Sequence, residues 1–147
     1  PRGRKNRNFH PRDDYPAHRL LNAIEPGSYI APHRHLDPAK DETMVVLRGA
    51  LGLVVFDDAG RVTLTQKVGA GGTASAGSAA NTGTVLGIDI PHGTWHTVFA
   101  LEPGTVFLEA KSGPYLALTD AERAPWAPAE NAAEAPAYFA GLRRLFP

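Results

Sequence analysis

The chain has 147 residues, 43% of them hydrophobic and 20% charged, and its formal net charge is zero at neutral pH. This balance is typical of a folded protein with one core and excludes a disordered chain, so we expect one domain over residues 1–147. The neutral charge and the lack of a bilayer-length apolar stretch give no reason to expect nucleic acid or a membrane as a partner. The absence of cysteine excludes disulfides and thiolate metal sites. No apolar signal-type segment follows the basic start, so we expect a cytoplasmic protein.

The N-terminal region is basic, and the first predicted strand follows it. Residues 1–18 carry five basic residues before the first acidic one, which predicts an arm lying along the domain. Such an arm could contact phosphate, but a solvated terminus is the simpler interpretation. The stretch from Ser28 to His35 then predicts a strand whose odd-numbered side chains share one face.

Short apolar runs separated by glycine and proline turns continue to residue 111. They predict seven strands, at 28–35, 42–47, 51–56, 61–68, 84–90, 95–101 and 105–111. Residues 69–83 are low in complexity and predict a flexible surface loop. Residues 112–147 are a C-terminal extension whose alanine-rich part, 132–146, predicts a helix. The pattern predicts an all-β barrel or sandwich over residues 19–111.

The sharpest local pattern is His33-x-His35 on the first of these strands. Two imidazoles that lie two residues apart on a strand point to the same side and can share one ion. Glu42 opens the next predicted strand, and His96 follows a proline-glycine turn at the start of a later one. Three imidazoles and one carboxylate suit a divalent ion such as Fe, Mn, Zn or Ni. The sequence therefore predicts one divalent metal ion bound by these four residues.

The spacing of these residues resembles the cupin family. Two segments carry the resemblance, namely Gly27-x5-His33-x-His35-x6-Glu42-x6-Gly49 and Pro91-x-Gly93-x-x-His96. The resemblance implies a small jelly-roll β-barrel in which the matched histidines and glutamate are metal ligands. It also implies a homodimer, because cupins commonly pair through their sheet edges.

The spacing from His35 to Glu42 is longer than in most cupins. This leaves Asp37 as an alternative carboxylate ligand, because it has the same strand parity as the histidines. A narrower resemblance, to the WbuC-type cupin-fold metalloproteins, covers most of residues 4–128 and is clearest at 32–36, 91–97 and 124–128. The long spacing is normal in that family. The resemblance implies a link to bacterial surface-polysaccharide biosynthesis.

Two registers are open for the predicted strand at 105–111. If residues 103 and 104 form a two-residue turn, His96 faces Lys111, and Phe107, Glu109 and Lys111 point into the barrel. One extra turn residue would instead turn the alternate residues 106, 108 and 110 inward. In the first register, Glu109 and Lys111 are candidate catalytic residues for acid–base chemistry.

Tyr29 and Met44 share strand parity with the predicted ligands on their own strands. Both are therefore candidate substrate-binding residues, although either could belong to the core. We expect a small-molecule partner for the resulting cavity.

A metal-loaded barrel of this kind is consistent with several functions. The first is a metal-dependent enzyme that isomerises or epimerises a small polar, sugar-like substrate. A non-heme iron oxygenase is the other enzymatic hypothesis. A module that binds a ligand without turning it over, or a purely structural metal, are the alternatives without catalysis.

Overall fold

The computed structural model, which describes residues 2–73 and 83–147, is built around two antiparallel sheets. The strands are β1 (Arg4–Asn8), β2 (Ala17–Ile24), β3 (Glu42–Arg48), β4 (Ala50–Phe56), β5 (Val62–Thr73), β6 (Gly87–Ile90), β7 (Trp95–Ala100) and β8 (Thr105–Ser112). One sheet has the order β1-β2-β8-β3-β6, and the other has the order β5-β4-β7. The predicted all-β class is confirmed.

The core lies between the inner faces of the two sheets. Met44 on β3 and Phe107 on β8 contribute from the larger sheet, and Leu51 and Val98 contribute from the smaller one. Strand β8 alternates buried and half-buried residues, as expected when one face packs on a core. Strand β7 is buried along its whole length, including its two polar residues His96 and Thr97.

A C-terminal helix extends this core on the outer side of the smaller sheet. Helix α1 spans Ala135–Arg143, within the predicted range 132–146, and its proline is confined to the first turn, where no helical hydrogen bond is lost. Its buried side chains include Phe139 and Leu142. The rings of Phe139 and Phe99 of β7 meet edge to face at 5.3 Å between centroids, so the helix is anchored by aromatic packing. No helix in the described ranges is both long and apolar enough to cross a bilayer.

The N-terminal half differs from prediction at two places. The predicted arm contains β1, which pairs with β2 at the edge of the larger sheet from Arg4↔Ile24 to Asn8↔Leu20. The predicted strand at 28–35 is wrong as a regular strand, because within the described chain only His33 there forms β-bridges, to His96 and Arg123. The alternation of faces that the sequence predicted for this stretch therefore does not apply.

The predicted loop at 69–83 differs from the structure in its first part. Strand β5 continues through residues 69–73, so these residues are paired or extended rather than part of a loop. The rest of that prediction falls on residues 74–82, which lie outside the described residues.

The predicted hairpin between β7 and β8 is also wrong. Strand β7 pairs with β4, whereas β8 pairs with β2 and β3, so residues 101–104 carry the chain from one sheet to the other. Phe107 and Glu109 nevertheless face the interior, because the pairing of β8 with its own two neighbours sets its faces. The alternative register with residues 106, 108 and 110 inward is excluded, since these positions are only half-buried.

The turn between β3 and β4 requires glycine at position 49. Gly49 has a φ of 74°, and a Cβ built on it would lie 2.4 Å from Oγ1 of the fully buried Thr105.

We expect Gly49→Ala to lower the free energy of unfolding by about 2–3 kcal/mol through backbone strain and this clash. Urea denaturation would measure the change. Gly27→Ala is the matched control, because a Cβ there meets nothing within 4 Å, and an equal loss in both variants would contradict the argument.

Candidate metal centre

Two histidines from distant parts of the chain are brought together by a backbone bridge. The amide of His33 donates to the carbonyl of His96 at 3.0 Å, and the amide of His96 donates to the carbonyl of His33 at 2.9 Å. Residues bridged in this way carry their side chains on the same side of the pair. The two imidazole rings accordingly lie 4.6 Å apart between centroids.

Glu42, the first residue of β3, brings a carboxylate to this pair. Glu42 is only 2% exposed to solvent, and its Oε2 lies 3.1 Å from Nε2 of His96. Candidate ligand atoms of His33, Glu42 and His96 all lie within 4.8 Å of one another. His35 approaches from the other side, with its Nε2 at 3.2 Å from Oε1 of Glu42. The structure thus brings the four predicted ligands to one place. His35 contacts one carboxylate oxygen of Glu42, and His96 contacts the other.

Backbone carbonyls fix which ring nitrogens carry hydrogen. Nδ1 of His33 lies 3.0 Å from the Ala31 carbonyl, and Nδ1 of His96 lies 2.9 Å from the Thr94 carbonyl. A carbonyl oxygen can only accept, so each Nδ1 is the donor, and a ring in its neutral form then directs an Nε2 lone pair toward the cluster. This second contact is what orients histidines that bind metals.

The atoms left at the centre fit a cation. Nε2 of His96 and Oε2 of Glu42 are both buried acceptors without a hydrogen-bond donor in the described chain, although they are only 3.1 Å apart. Two such acceptors repel each other unless a positive charge lies between them. Two ligand atoms each bonded at about 2.1 Å to one ion, at a right angle, are separated by about 3 Å. The donor set and its spacing therefore fit a divalent metal ion.

The protonation states also suit a metal. Burial, together with the neighbouring His96, lowers the pKa of His33 to about 3, so this imidazole is neutral at physiological pH. Burial alone would raise the pKa of Glu42, but contacts with His35 and His96 and the charge of Lys111 hold it well below its ordinary value. A neutral imidazole and an ionised carboxylate are the forms that bind metals.

A buried ammonium links the cluster to a second carboxylate. Nζ of Lys111 lies 2.7 Å from Oε1 of Glu42 and 2.7 Å from Oε1 of Glu109. Burial alone would lower the pKa of Lys111, but the charges of Glu109 and Glu42 outweigh it and raise this pKa above its ordinary value. The other oxygen of Glu109 accepts a hydrogen bond from Nδ2 of Asn22 at 2.7 Å. Lys111 therefore stays charged between two carboxylates.

The cluster faces a cavity of about 730 Å³. Its charged inner part contains the side chains of Glu42, Glu109 and Lys111 next to the histidines. Its apolar lining includes Ile30, Ala31, Met44, Val98 and Phe107. A cavity of this size can hold a small organic molecule beside the cluster.

Two predicted residues lie away from this cavity. Tyr29 packs its ring against Phe139 and donates its hydroxyl to the Pro128 carbonyl at 3.0 Å, outside the cavity lining. The strand alternation that would have turned Tyr29 inward is absent there. Asp37 is exposed and accepts the amide of Ala39 at 2.9 Å, so it caps a loop turn instead of approaching the histidines.

Several polar residues of the cavity lining, among them Asn22, Arg4 and Glu130, were not among the predicted site residues. Asn22 interrupts the apolar run of β2, and this isolated amide was the available signal for an inward polar contact. Arg4 and Glu130 also line the cavity and form an ion pair with Nη2 of Arg4 2.7 Å from Oε1 of Glu130. These two residues are 126 positions apart, so no local pattern could have joined them.

Comparison with known proteins identifies the fold. A family model described as a domain of unknown function (DUF6016) matches residues 1–68, whereas no curated protein matches the chain in sequence. KdgF from Halomonas sp. superposes with a TM-score of 0.53 and 17% identity, over 75% of this chain and 80% of that one. An oxalate decarboxylase variant from Bacillus subtilis gives a TM-score of 0.56 and 19% identity, over 82% of this chain and 28% of the decarboxylase.

This chain therefore spans little more than a quarter of the oxalate decarboxylase chain that it matches. The structural neighbours are cupins, and the chain shares their fold. The predicted cupin barrel with a C-terminal helix is confirmed.

Loss of either bridged histidine is expected to abolish metal binding. His33→Ala or His96→Ala removes a lone pair that no other described side chain supplies at that position, so the purified protein should contain less than about a tenth of the wild-type metal. Elemental analysis would measure the content, and the melting temperature should fall as well. His92→Ala is the matched control, because His92 is exposed and pairs with Asp41. Normal metal content in His33→Ala or His96→Ala would refute the site.

Substitution of the two candidate carboxylate ligands, Glu42 and Asp37, should affect metal affinity differently. Glu42→Gln keeps the shape of the side chain but removes its charge, so we expect metal affinity to fall by at least about tenfold. Asp37→Asn should leave the affinity unchanged, because Asp37 lies in the exposed loop. Competition with a fluorescent chelator would measure both variants. The reverse order of effects would move the ligand role to Asp37.

Proposed function

We propose that this protein is a metal-dependent enzyme that acts on a small polar, sugar-like substrate. One observation carries the proposal. The cluster of unpartnered acceptor atoms opens into a cavity that also contains a carboxylate and an ammonium, Glu109 and Lys111. A metal that served only to hold strands together would need neither the cavity nor these groups. The combination is typical of an active site, where charged groups are kept buried for chemistry.

The proposed ligands are His33, His35, Glu42 and His96. Imidazole and carboxylate oxygen together suit Fe, Mn, Zn or Ni. When bound, such an ion would polarise a carbonyl or hydroxyl oxygen of the substrate as a Lewis acid. The short distance between the acceptor atoms of Glu42 and His96 supports their part in this role.

Glu109 is the proposed base in the cavity. Lys111 is held in its charged form and has no lone pair to accept a proton, whereas an ionised carboxylate can accept one. Removal of a proton from a carbon next to the polarised oxygen is the shared step of sugar isomerisation and epimerisation. Lys111 and Asn22 would then hold Glu109 in position through their contacts with its two oxygens.

The biological setting is proposed from sequence. The stretches that resemble WbuC-type proteins, such as Pro91 to Thr97, support a role in bacterial surface-polysaccharide biosynthesis. Oxalate decarboxylase, named for a small carboxylate substrate, has the same fold and supports a small polar ligand for this cavity. The proposed protein partner is a second copy of the chain, paired through sheet edges.

A non-heme iron oxygenase is a second candidate. Two histidines and one glutamate form the tightest group in the site, and this donor set is typical of iron sites that activate dioxygen. Iron in the purified protein, together with substrate-dependent oxygen uptake, would favour this alternative. A ligand-binding module without turnover is supported by the engagement of both oxygens of Glu109 in hydrogen bonds.

The proposed base gives a direct test. Metal-loaded protein would be screened for turnover against sugar phosphates, nucleotide sugars and sugar acids, with product detection by NMR. For a substrate that reacts, Glu109→Gln should lower kcat by at least about a hundredfold while metal content stays normal, because general base catalysis contributes about that much. Asp89→Asn is the matched control, because its carboxylate contacts Thr43 on the exposed side of the sheet. Unchanged kcat in Glu109→Gln, or no turnover across the panel with full metal content, would reject the catalytic proposal.

A further inference from the structure

A second pocket lies beside the metal cavity, and arginine side chains dominate its charge. Its volume is about 690 Å³, and it is formed by the N-terminal segment, the region before α1, and α1 itself. The charged residues of its lining are Arg2, Arg4, Glu130 and Arg143. Three positive groups thus face one negative group, although the whole chain is neutral.

The positive charge of one of these arginines, Arg4, is already neutralised by an ion pair with Glu130. Nη2 of Arg4 contacts both oxygens of Glu130 at 2.7 Å, and its Nη1 donates to the Ser28 hydroxyl and the Tyr29 carbonyl. These contacts engage both terminal amino groups, so Arg4 is a fixed part of the wall. Its side chain is only 20% exposed, consistent with a structural position.

The other two arginines have no such partner. Within residues 2–73 and 83–147, neither Arg2 nor Arg143 forms an ion pair, and both are exposed at the pocket. The lining of the same pocket includes the buried residues Ala135 and Phe139, which form an apolar floor. A low-dielectric floor strengthens the attraction between a guanidinium and an anion that covers it.

The two cavities share a wall. Arg4, Glu130 and Asn131 line both the metal cavity and the arginine pocket. A molecule bound over this wall would reach both spaces. Of the basic residues near the N-terminus, Arg2 and Arg4 therefore lie next to the candidate active site, whereas Lys5 and Arg7 remain exposed to solvent.

We propose that the arginine pocket is a subsite that binds a phosphate or carboxylate group beside the metal cavity. The planar fork of a guanidinium matches the oxygen pairs of both groups. The role of this pocket as a substrate subsite rests on the proposed function. Anion binding by the pocket requires only its arginines. It narrows the substrate class from small polar molecules to those that carry an anionic group.

The test uses inorganic phosphate and the full chain after removal of metal with EDTA. At low ionic strength, a backbone NMR titration should show saturable shifts at residues that line the pocket. Arg2→Gln and Arg143→Gln should each weaken binding by about tenfold, as expected when a charged hydrogen bond is lost. Arg7→Gln is the matched control, since Arg7 is an exposed arginine of the same N-terminal segment that lies outside the lining of this pocket, and it should leave the affinity unchanged.

A third substitution, Glu130→Gln, should change phosphate affinity in the opposite direction. Glu130→Gln removes the one acidic group of the pocket and releases Arg4, so phosphate should bind more tightly. A parallel titration with acetate shows whether the pocket prefers phosphate or carboxylate, and saturable binding of either one supports the subsite. Absence of saturable binding for both anions, or an equal loss in Arg7→Gln, would overturn the subsite and leave only diffuse attraction.

The outcome is separable from that of the proposed function. Phosphate binding is measured without metal, so it can persist in a protein that never takes up an ion. If wild-type protein binds phosphate at the arginines but binds no metal, the anion subsite stands and the enzymatic proposal fails. If metal binds normally and phosphate does not, the metal centre stands and the subsite is rejected.

Discussion

The negative charge of Glu42 organises this protein. A carboxylate that is 2% exposed is stable only when charges or donors inside the protein replace the water it has lost. Lys111 supplies a positive charge to one oxygen at 2.7 Å. The other oxygen lies 3.1 Å from Nε2 of His96, and neither of these two atoms has a hydrogen-bond partner among the described residues. The protein thus supplies a positive charge to one oxygen of Glu42. The surroundings of the other oxygen fit a bound cation.

The two-sheet architecture explains how these groups meet. Strands β3 and β8 are neighbours in the larger sheet, and their register places Glu42 opposite Lys111 and Met44 opposite Glu109. Directly opposed residues share a face, so Glu42, Lys111 and Glu109 all point to the interior. His96 comes from the smaller sheet, and His33 is fastened to it by the backbone bridge. The site therefore lies between the sheets, where apolar walls keep the electrostatic interactions strong.

The ends of the chain close the open side of this space. The N-terminal strand β1 carries Arg4 to the cavity, and the segment before α1 carries Glu130. Their ion pair joins two peripheral parts of the fold and forms the wall between the metal cavity and the arginine pocket. The polarity thus changes along the molecule, from the buried candidate metal centre through an ion-paired wall to a surface with excess positive charge. This order suits a ligand with a polar reacting end and an anionic group.

The sequence by itself determined the features that depend on a few adjacent residues. The spacing of His33 and His35, the glycine-proline turn before His96, and the apolar face of the final helix indicated a β-barrel with a metal site. Alternation also placed Phe107 and Glu109 on one face, even though the assumed hairpin does not form, because the faces of a strand are set by its own backbone.

Only the tertiary structure decided which segments meet. Strand β7 joins a different sheet from β8, the stretch around Tyr29 is not a regular strand, and Arg4 finds Glu130 at the other end of the chain. Backbone preference and side-chain alternation act over a few residues, so they can be read locally. Strand pairing and buried ion pairs depend on how the whole chain excludes water, and this balance has no local signature.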